Sequence, residues 1–560
     1  MESIDITSSG LREHGYSLKK EDSTLVLHSD SNGVYPHRFT IYKNDWNKTT
    51  SKIEKKLEEL GFQQIIISAV LKDMSDNYPK LVNGAAAIKK QQQQQQQEYQ
   101  QIPKMASKAI KAGCPMEVWS TTQKQKYESL KKLVDKKAPG LWMPLEFVLT
   151  LKCILNIKDI TLPVMGLILG PPGSWKSQAV NMPKHARDTF GLDKFNPKSF
   201  VSHNSNLTEE QLQENDLLPK IQNKLFMVPE LSPLFTSREE DLEEIIGMIV
   251  RLGDGEGYAS ASGAKGVRGY EGPIMFVWVG AAVDIPYKIH TMLSRLGPKL
   301  YFFRLPMQVS DEDALLKALQ DNDFRERMRE VKKAVFDYIE YLESCPEMET
   351  DPASGIPKFN WDTKNSTQED AQRYIIKLAE LLAYLRGTVS TWETKDTQGL
   401  EYAYTSRIIE NPERTAIQLH NLARAHALSQ GRQHITMKDD LPFIIKVVLS
   451  GAASIERIKV LELMIKNKDK NKKYTADEIA ETIKTSPKTA KRVMAEFTSL
   501  GMVELEELGN VGEPLVTIRL SENLSWVFDK QFDELRGDYT PGDFKKFLVD
   551  KGKKEKEKTG

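Results

Sequence analysis

The segment "GLILGPPGSWKSQAV", residues 166–180, has residue types and spacing that could hold a triphosphate. Glycine at 170 and 173 lets the backbone curl so that its N–H groups point at phosphate oxygens. The positive end of the following helix faces the same anion. Lys176 would reach the β- and γ-phosphates, and the Ser177 hydroxyl would ligate Mg²⁺. The segment therefore predicts a site for ATP and Mg²⁺. The predicted loop consists of Gly170, Pro171, Pro172, Gly173, Ser174, Trp175, Lys176 and Ser177.

Trp175 is the departure from this pattern, because phosphate-binding loops normally carry glycine immediately before the lysine. A tryptophan fits there only if its backbone dihedrals are allowed and its side chain points away from the phosphates. Three interpretations follow from this residue: a nucleotide-driven motor, a nucleotide-sensing switch, or a loop that has lost its ligand.

A second acidic element follows in "NKLFMVPELSPLF", where residues 224–228 read as a buried strand that leads to Glu230. A carboxylate at the carboxyl end of a strand beside the phosphate loop can hold Mg²⁺ through water or polarise the attacking water. Such sites usually have an Asp–Glu pair, but Pro229 precedes the glutamate here. We expect Glu230 to act alone as metal and catalytic carboxylate, with Glu239, Glu240 and Asp241 on the next helix as nearby reserves. The alternative is that it only caps or packs a helix.

The glycine-rich stretch "GAKGVRG", residues 263–269, predicts a hairpin whose tip exposes Lys265 and Arg268. Two cations at a projecting tip could hold the phosphate backbone of a single DNA strand. The alternative is a flexible surface turn.

The elements that must position these residues predict a multidomain α/β protein, in which the strands of a parallel sheet alternate with helices along the chain.

The formal net charge is zero, so any nucleic-acid surface must be local. Three scattered cysteines and a polar N-terminus favour a cytoplasmic protein, and no apolar run suits a membrane span. The predicted divisions are a small α+β domain at 1–88, a Gln-rich linker at 89–104, a helical region at 105–162, a P-loop core at 163–309, a helical lid at 310–452, a winged helix at 453–522 and a basic tail at 523–560.

Residues 163–450 resemble the AAA+ ATPases, in particular the branch that includes the minichromosome maintenance helicases. "GPPGSWKS" is similar to Walker A and "MVPE" to a divergent Walker B, and "VWVGAAVD" ends where sensor 1 would lie. The resemblance implies a homo-oligomer, with a hexameric ring as one form. It also implies an arginine finger at Arg295, with Arg304 as second choice, and a sensor-2 arginine at Arg414. Sensor 1 is in doubt, because residues 280–282 are Gly-Ala-Ala and only Asp284 could replace the usual polar side chain.

The C-terminal residues 453–522 have the pattern of a winged helix: three helices followed by the hairpin "GMVELEEL…PLVTIRL". In helix-turn-helix proteins the N-terminal residues of the helix after the turn enter the major groove. Those residues here are Lys488, Thr489, Lys491 and Arg492. A duplex DNA contact is expected there, mainly to phosphates.

Taken together, these features predict an AAA+-like ATPase that acts on DNA as a helicase, translocase or replication initiator. Two rivals remain open. One is a nucleotide-sensing DNA-binding regulator without significant hydrolysis. The other is a protein-remodelling scaffold whose winged helix grips protein.

Overall fold

The computed structural model describes two compact units, residues 1–106 and 107–560. The residues it describes are 4–5, 16–21, 24–29, 37–40, 46–60, 67, 70–71, 114–160, 162–193, 199–203, 207–235, 239–262, 266–296, 299–306, 312, 316, 319–320, 322–389, 391–393, 402–404, 407–467, 469–508 and 515–539.

Within its described residues, the first unit contains a four-stranded antiparallel sheet followed by a helix. The strands lie in the order β1 (Ile4–Asp5), β2 (Tyr16–Glu21), β3 (Thr24–Ser29) and β4 (His37–Thr40), and helix α1 is Trp46–Glu59. These strands and this helix are the kinds of element expected of the small α+β domain predicted at residues 1–88. The run "QQIIISAVL" reads from sequence as a buried strand, but its three described residues, Ile67, Val70 and Leu71, are helical. A short apolar run cannot distinguish a strand from a buried helical turn.

The second unit is built on a five-stranded sheet in which every pairing is parallel. Its order is β11 (Leu300–Arg304), β5 (Val164–Leu169), β10 (Val277–Ala282), β7 (Leu225–Val228) and β6 (Thr189–Gly191). All residues of β5, β7 and β10 are buried, which is why these strands are continuous apolar runs. The carboxyl ends of parallel strands share one edge, so the loops after β5, β7, β10 and β11 meet there.

Helices cover both faces of this sheet. The helices of this region are α2 (Met116–Lys137), α3 (Trp142–Ile154), α4 (Lys176–Asn181), α5 (Glu209–Asn215), α6 (Leu217–Ile221), α7 (Ser232–Phe235), α8 (Glu239–Leu252) and α9 (Tyr287–Leu296). One face of the sheet packs on α3 and α4, and the other on α6, α8 and α9. An antiparallel hairpin, β8 (Gly257–Ser262) and β9 (Gly266–Glu271), lies between α8 and β10.

The region after the sheet is mainly helical, as predicted. Its helices are α10 (Phe324–Leu342), α11 (Glu369–Arg386), α12 (Pro412–Ser429) and α13 (Met437–Ser450), with short strand pairs β12 (Met348–Thr350) with β13 (Pro357–Phe359) and β14 (Thr391–Glu393) with β15 (Tyr402–Tyr404). Thr436 caps α13, since its side chain accepts a hydrogen bond from the Asp439 amide, as its sequence pattern indicates.

The C-terminal part contains the predicted order of three helices and a hairpin. These are α14 (Ile455–Lys466), β16 (Tyr474–Thr475), α15 (Ala476–Ile483), α16 (Pro487–Leu500), β17 (Val503–Leu508) and β18 (Leu515–Leu520), with sheet order β16-β18-β17. Thr475 caps α15 and Ser486 caps α16, each accepting a backbone hydrogen bond through its side-chain hydroxyl.

The predicted boundary of the basic tail at residue 523 is wrong. A 3₁₀ helix at Glu522–Phe528 and helix α17 (Lys530–Arg536) follow β18. Phe532 and Tyr539 are buried, because this segment carries enough apolar surface to pack on α13. Within the described ranges, none of the helices is long and apolar enough to cross a bilayer.

Candidate functional site

The loop between β5 and α4 is bent by two residues in the left-handed region, Gly173 with φ 79° and Trp175 with φ 67° and ψ 0°. Gly173 adopts this conformation without penalty, whereas for a tryptophan it costs roughly 1–2 kcal/mol. Trp175 therefore has the backbone conformation that suits a glycine. The loop amides that can face phosphates are those of residues 173–177, since Pro171 and Pro172 have no N–H. Because α4 has only six residues, the loop amides would contribute more to phosphate binding than the dipole of this helix.

Lys176 folds back over the loop that contains it. Its Nζ donates to the Pro171 carbonyl oxygen at 2.6 Å and to Ser174 Oγ at 3.3 Å. The side chain is buried, and burial lowers the pKa of its ammonium, while the charge of Glu230 acts in the opposite direction. The carboxylate of Glu230 thus lies near enough to act on the lysine. A phosphate bound by the loop would compete with Pro171 for this ammonium.

Ser177 and Glu230 lie at the same corner of the sheet edge. Ser177 Oγ donates to the carbonyl oxygen of Pro229 at 2.9 Å, which ties the loop to the end of β7. The exposed Glu230 accepts a hydrogen bond from the Ser232 amide at 2.9 Å, so it does cap α7, as the alternative interpretation holds. The pairing of a hydroxyl and a carboxylate at one corner suits Mg²⁺, which takes oxygen ligands.

The end of β10 lies directly beside the phosphate loop, where the Gly170 amide donates to the Val283 carbonyl at 3.2 Å. A Cβ at Gly280 would lie 2.1 Å from Leu231 Cδ1, so a larger residue there would force the buried Leu231 side chain to shift. Beyond the two alanines, the first polar side chain is Asp284. Its Oδ1 accepts from Arg304 Nη1 at 2.8 Å, and Arg304 ends the strand on the other side of β5. The structure thus brings Asp284 and Arg304 together at the carboxyl edge.

A cavity of about 260 Å³ adjoins the loop. Its lining residues are Lys131, Asp135, Gly140, Trp142, Met143, Ser174, Leu305 and Pro306. A cavity of roughly 150 Å³ already admits a benzene ring, so this one has room for an aromatic base. Sequence reasoning missed it because Trp142 and Met143 read only as packing residues. The signal available was a tryptophan two residues after Gly140 and two before Pro144, upstream of the phosphate-loop strand.

Arg414 lies at the opposite edge of the sheet, which corrects its expected place as a sensor for the nucleotide of its own chain. Its guanidinium donates to Asp254 Oδ1 and to the Gly253 carbonyl, both at 2.8 Å. Asp254 also accepts from Lys299, which immediately precedes β11. These contacts lie at the amino ends of the strands, and the six residues of β5 separate the two edges by roughly 20 Å. The sensor-2 role of Arg414 stays a prediction.

Arg268 is not exposed at the hairpin tip, and this corrects the sequence prediction of its exposure. It lies within β9 and is buried. Its guanidinium pairs with Asp216 Oδ2 at 3.1 Å and Glu209 Oε1 at 2.9 Å, and it also donates to the Ser202 carbonyl. The fully buried Asp216 needs a cation, and Arg268 is the residue that the hairpin brings to it. Lys265 lies outside the described residues.

Arg295 lies in α9, and its side chain lies outside the described part, so its role as arginine finger stays a prediction.

The N-terminal turn of α16 carries the predicted contacts to duplex DNA. Lys488 is exposed, and Thr489 is engaged by the Ser486 cap. Lys491 is half-buried on the same turn.

Arg492 is held by the buried Glu496, whose Oε1 accepts from its Nη1 at 2.6 Å. Arg492 is therefore a structural ion-pair partner as well as a candidate DNA contact.

Among the residues that the structure describes, no group of three His, Cys, Asp or Glu side chains could form a metal site by itself. The protein thus supplies Ser177 and Glu230 as candidate Mg²⁺ ligands, and a bound triphosphate would have to complete the shell.

No protein-family model matches this sequence, and no curated protein matches it. Among solved structures, the chain is similar to one described as "SCCmec type IV Cch - active helicase", with 9% sequence identity and a TM-score of 0.25. The alignment covers 93% of this chain and 92% of that one. So low a TM-score carries no argument about activity, and the functional conclusion rests on the site.

Proposed function

We propose that this chain binds ATP with Mg²⁺ in the loop at residues 170–177 and hydrolyses it to drive work on DNA. The observation that carries the proposal is the loop conformation. Its two left-handed residues turn the chain so that Lys176 covers the loop, and Ser177 is tied to the strand end that carries Glu230. That combination positions a cation, a metal-binding hydroxyl and a carboxylate at the carboxyl edge of a parallel sheet, where such sheets bind nucleotides.

In this proposal the loop amides and Lys176 hold the β- and γ-phosphates. Ser177 and Glu230 hold Mg²⁺, and Glu230 polarises the attacking water. The base enters the cavity beside Trp142. Arg295 from a neighbouring subunit of a homo-oligomer, for example a hexameric ring, stabilises the charge on the γ-phosphate. The C-terminal helices and hairpin act as a winged helix that contacts duplex DNA through Lys488 and Lys491.

The test is direct binding of Mg²⁺ with a non-hydrolysable ATP analogue, measured by calorimetry, followed by phosphate release with and without DNA. Lys176→Ala should lose binding by at least about tenfold, because it removes a charge-assisted contact of roughly 1.5–3 kcal/mol. Lys184→Ala is the matched control, since Lys184 is an exposed lysine a few residues beyond α4. Absence of binding heat for the parent protein would refute the proposal.

A second candidate function is that of a DNA-binding regulator that senses nucleotide without significant ATP hydrolysis. It is favoured by the end of β10, where residues 280–282 offer no polar side chain to orient water and Arg304 engages Asp284. Binding of the analogue without phosphate release, whether or not DNA is added, would favour it. For either candidate, DNA affinity that falls with salt at a slope of about −0.9 per neutralised phosphate supports backbone contact. A flat response would favour a scaffold that grips protein.

A further inference from the structure

Trp175 is the most unusual residue of the loop, because a bulky side chain is held in a left-handed conformation. Its carbonyl oxygen accepts a hydrogen bond from the Ala179 amide at 2.8 Å, so this conformation also starts helix α4. Residues held in such regions persist only where their surroundings fix them, and they concentrate at functional sites. Something in the structure must therefore offset the strain at position 175.

The side chain of Trp175 stacks on Phe324, with ring centroids 6.2 Å apart and an angle of 23° between the planes. This geometry lies in the range of favourable aromatic pairs. The free-energy gain from such a pair is comparable in size to the cost of one left-handed non-glycine residue.

Phe324 is well placed to hold the indole. It is the first residue of α10, a helix of 19 residues whose buried face includes Met328, Val331 and Val335. Glu330 of this helix forms an ion pair with Lys137 of α2 at 2.8 Å. Phe324 as a whole residue is nevertheless 42% exposed, so core packing does not account for a large apolar side chain there.

We infer that Phe324 is a positioning residue for the phosphate loop: its stack with Trp175 holds the loop backbone in the phosphate-binding conformation. Trp175 also packs against the apolar core beside the loop. Without the stack, however, the indole loses one of the contacts that offset its left-handed backbone, and the loop more often adopts conformations in which its amides no longer converge. A glycine at position 175 would need no such support, since it occupies this region freely. The inference rests on the proposed nucleotide site and explains how a tryptophan is tolerated within it.

The inference predicts a specific dependence between two substitutions. Phe324→Ala should weaken binding of a fluorescent non-hydrolysable ATP analogue by about two- to tenfold, the range that an aromatic pair supports. In the Trp175→Gly background, Phe324→Ala should change binding by less than about twofold, because nothing is left to support. Phe324→Tyr should bind like the parent, since it keeps the ring. Leu319→Ala is the control, because Leu319 is also a highly exposed apolar residue near α10.

The same variants are compared without nucleotide by hydrogen–deuterium exchange of the peptide that spans residues 170–181. Phe324→Ala should speed exchange by about two- to tenfold in the parent and leave it unchanged in the Trp175→Gly background. Equal effects of Phe324→Ala in both backgrounds, or no effect in the parent, would overturn the inference. Because this exchange measurement needs no ligand, it separates failure of the stack from failure of the parent to bind nucleotide.

Discussion

The substitution Glu496→Gln should uncouple the C-terminal helices from the end of α11. Glu496 lies on α16, and its Oε2 accepts from Nε of Arg457 on α14 at 2.9 Å. Both side chains are at most 1% exposed. Arg457 also donates to the carbonyl oxygens of Leu385 and Gly387, so one guanidinium joins α14 and α16 to the end of α11.

The expected cost follows from burial. Removing the carboxylate leaves a guanidinium buried without a counter-charge, and breaking such a pair costs about 3–5 kcal/mol. Glutamine keeps the shape and one acceptor oxygen, so we expect the lower end, about 3 kcal/mol. The matched control is Glu504→Gln, whose partner Arg519 and whose own side chain are 31% and 44% exposed. An exposed pair of this kind contributes up to about 1 kcal/mol.

The assay must report on the C-terminal part alone. Trp526 packs edge-on against Tyr374 of α11, with ring centroids 5.6 Å apart, and against Phe532. Urea unfolding of protein labelled with 5-fluorotryptophan, followed by the ¹⁹F signal of Trp526, reports this contact, and Trp526→Phe assigns the signal. With a urea dependence of about 1–3 kcal/mol per M, Glu496→Gln should lower the midpoint by about 1–3 M.

A urea midpoint for Glu496→Gln equal to that of Glu504→Gln would refute this reasoning. The buried ion pair would then contribute no more to the free energy of unfolding than the exposed one. If the midpoint falls as expected, the same variant should weaken any effect of nucleotide on DNA affinity. Helix α16 would no longer hold a fixed orientation toward α11.

Three further outcomes are expected. Glu230→Gln should lower phosphate release by about a hundredfold or more, since it removes the carboxylate proposed to polarise the attacking water. It should also weaken Mg²⁺-dependent binding of the analogue, because that carboxylate is a proposed metal ligand; equal turnover would exclude the role in hydrolysis. Burial by itself lowers the pKa of His426, but hydrogen bonds and charges from Asp440 and Glu146 raise it above its ordinary value. Its contribution to stability should therefore be complete below about pH 6.5 and fall as pH rises through the folded-state pKa. Thermal unfolding between pH 5 and 9 should show this loss in the parent and not in His426→Gln. Arg268→Met should speed hydrogen exchange in residues 257–271 by leaving Asp216 buried and unpaired, without changing the salt slope of DNA binding; a slope smaller by about one would show a phosphate contact.

The sequence determined the local features of this protein. Short-range preferences fix them: the apolar run before Gly170 forms the buried strand, and Thr436, Thr475 and Ser486 cap the helices that follow them. A capping hydroxyl acts within three residues, and a continuous apolar strand requires burial on both faces. The placement of the loop between strand and helix follows from the same local rules. The winged-helix function, the DNA contacts and the oligomer remain predictions from sequence.

Only the tertiary structure decided which distant residues meet. Asp216 draws Arg268 into the protein, and Asp254 holds Arg414 at the edge of the sheet away from the loop. Neither partner lies near its arginine in sequence, so charge alone made both arginines look available. Likewise Phe324, 149 positions after Trp175, supplies the stack that accompanies the left-handed backbone. Contacts between residues so far apart depend on how helices pack on the sheet, and no local pattern in the chain encodes that.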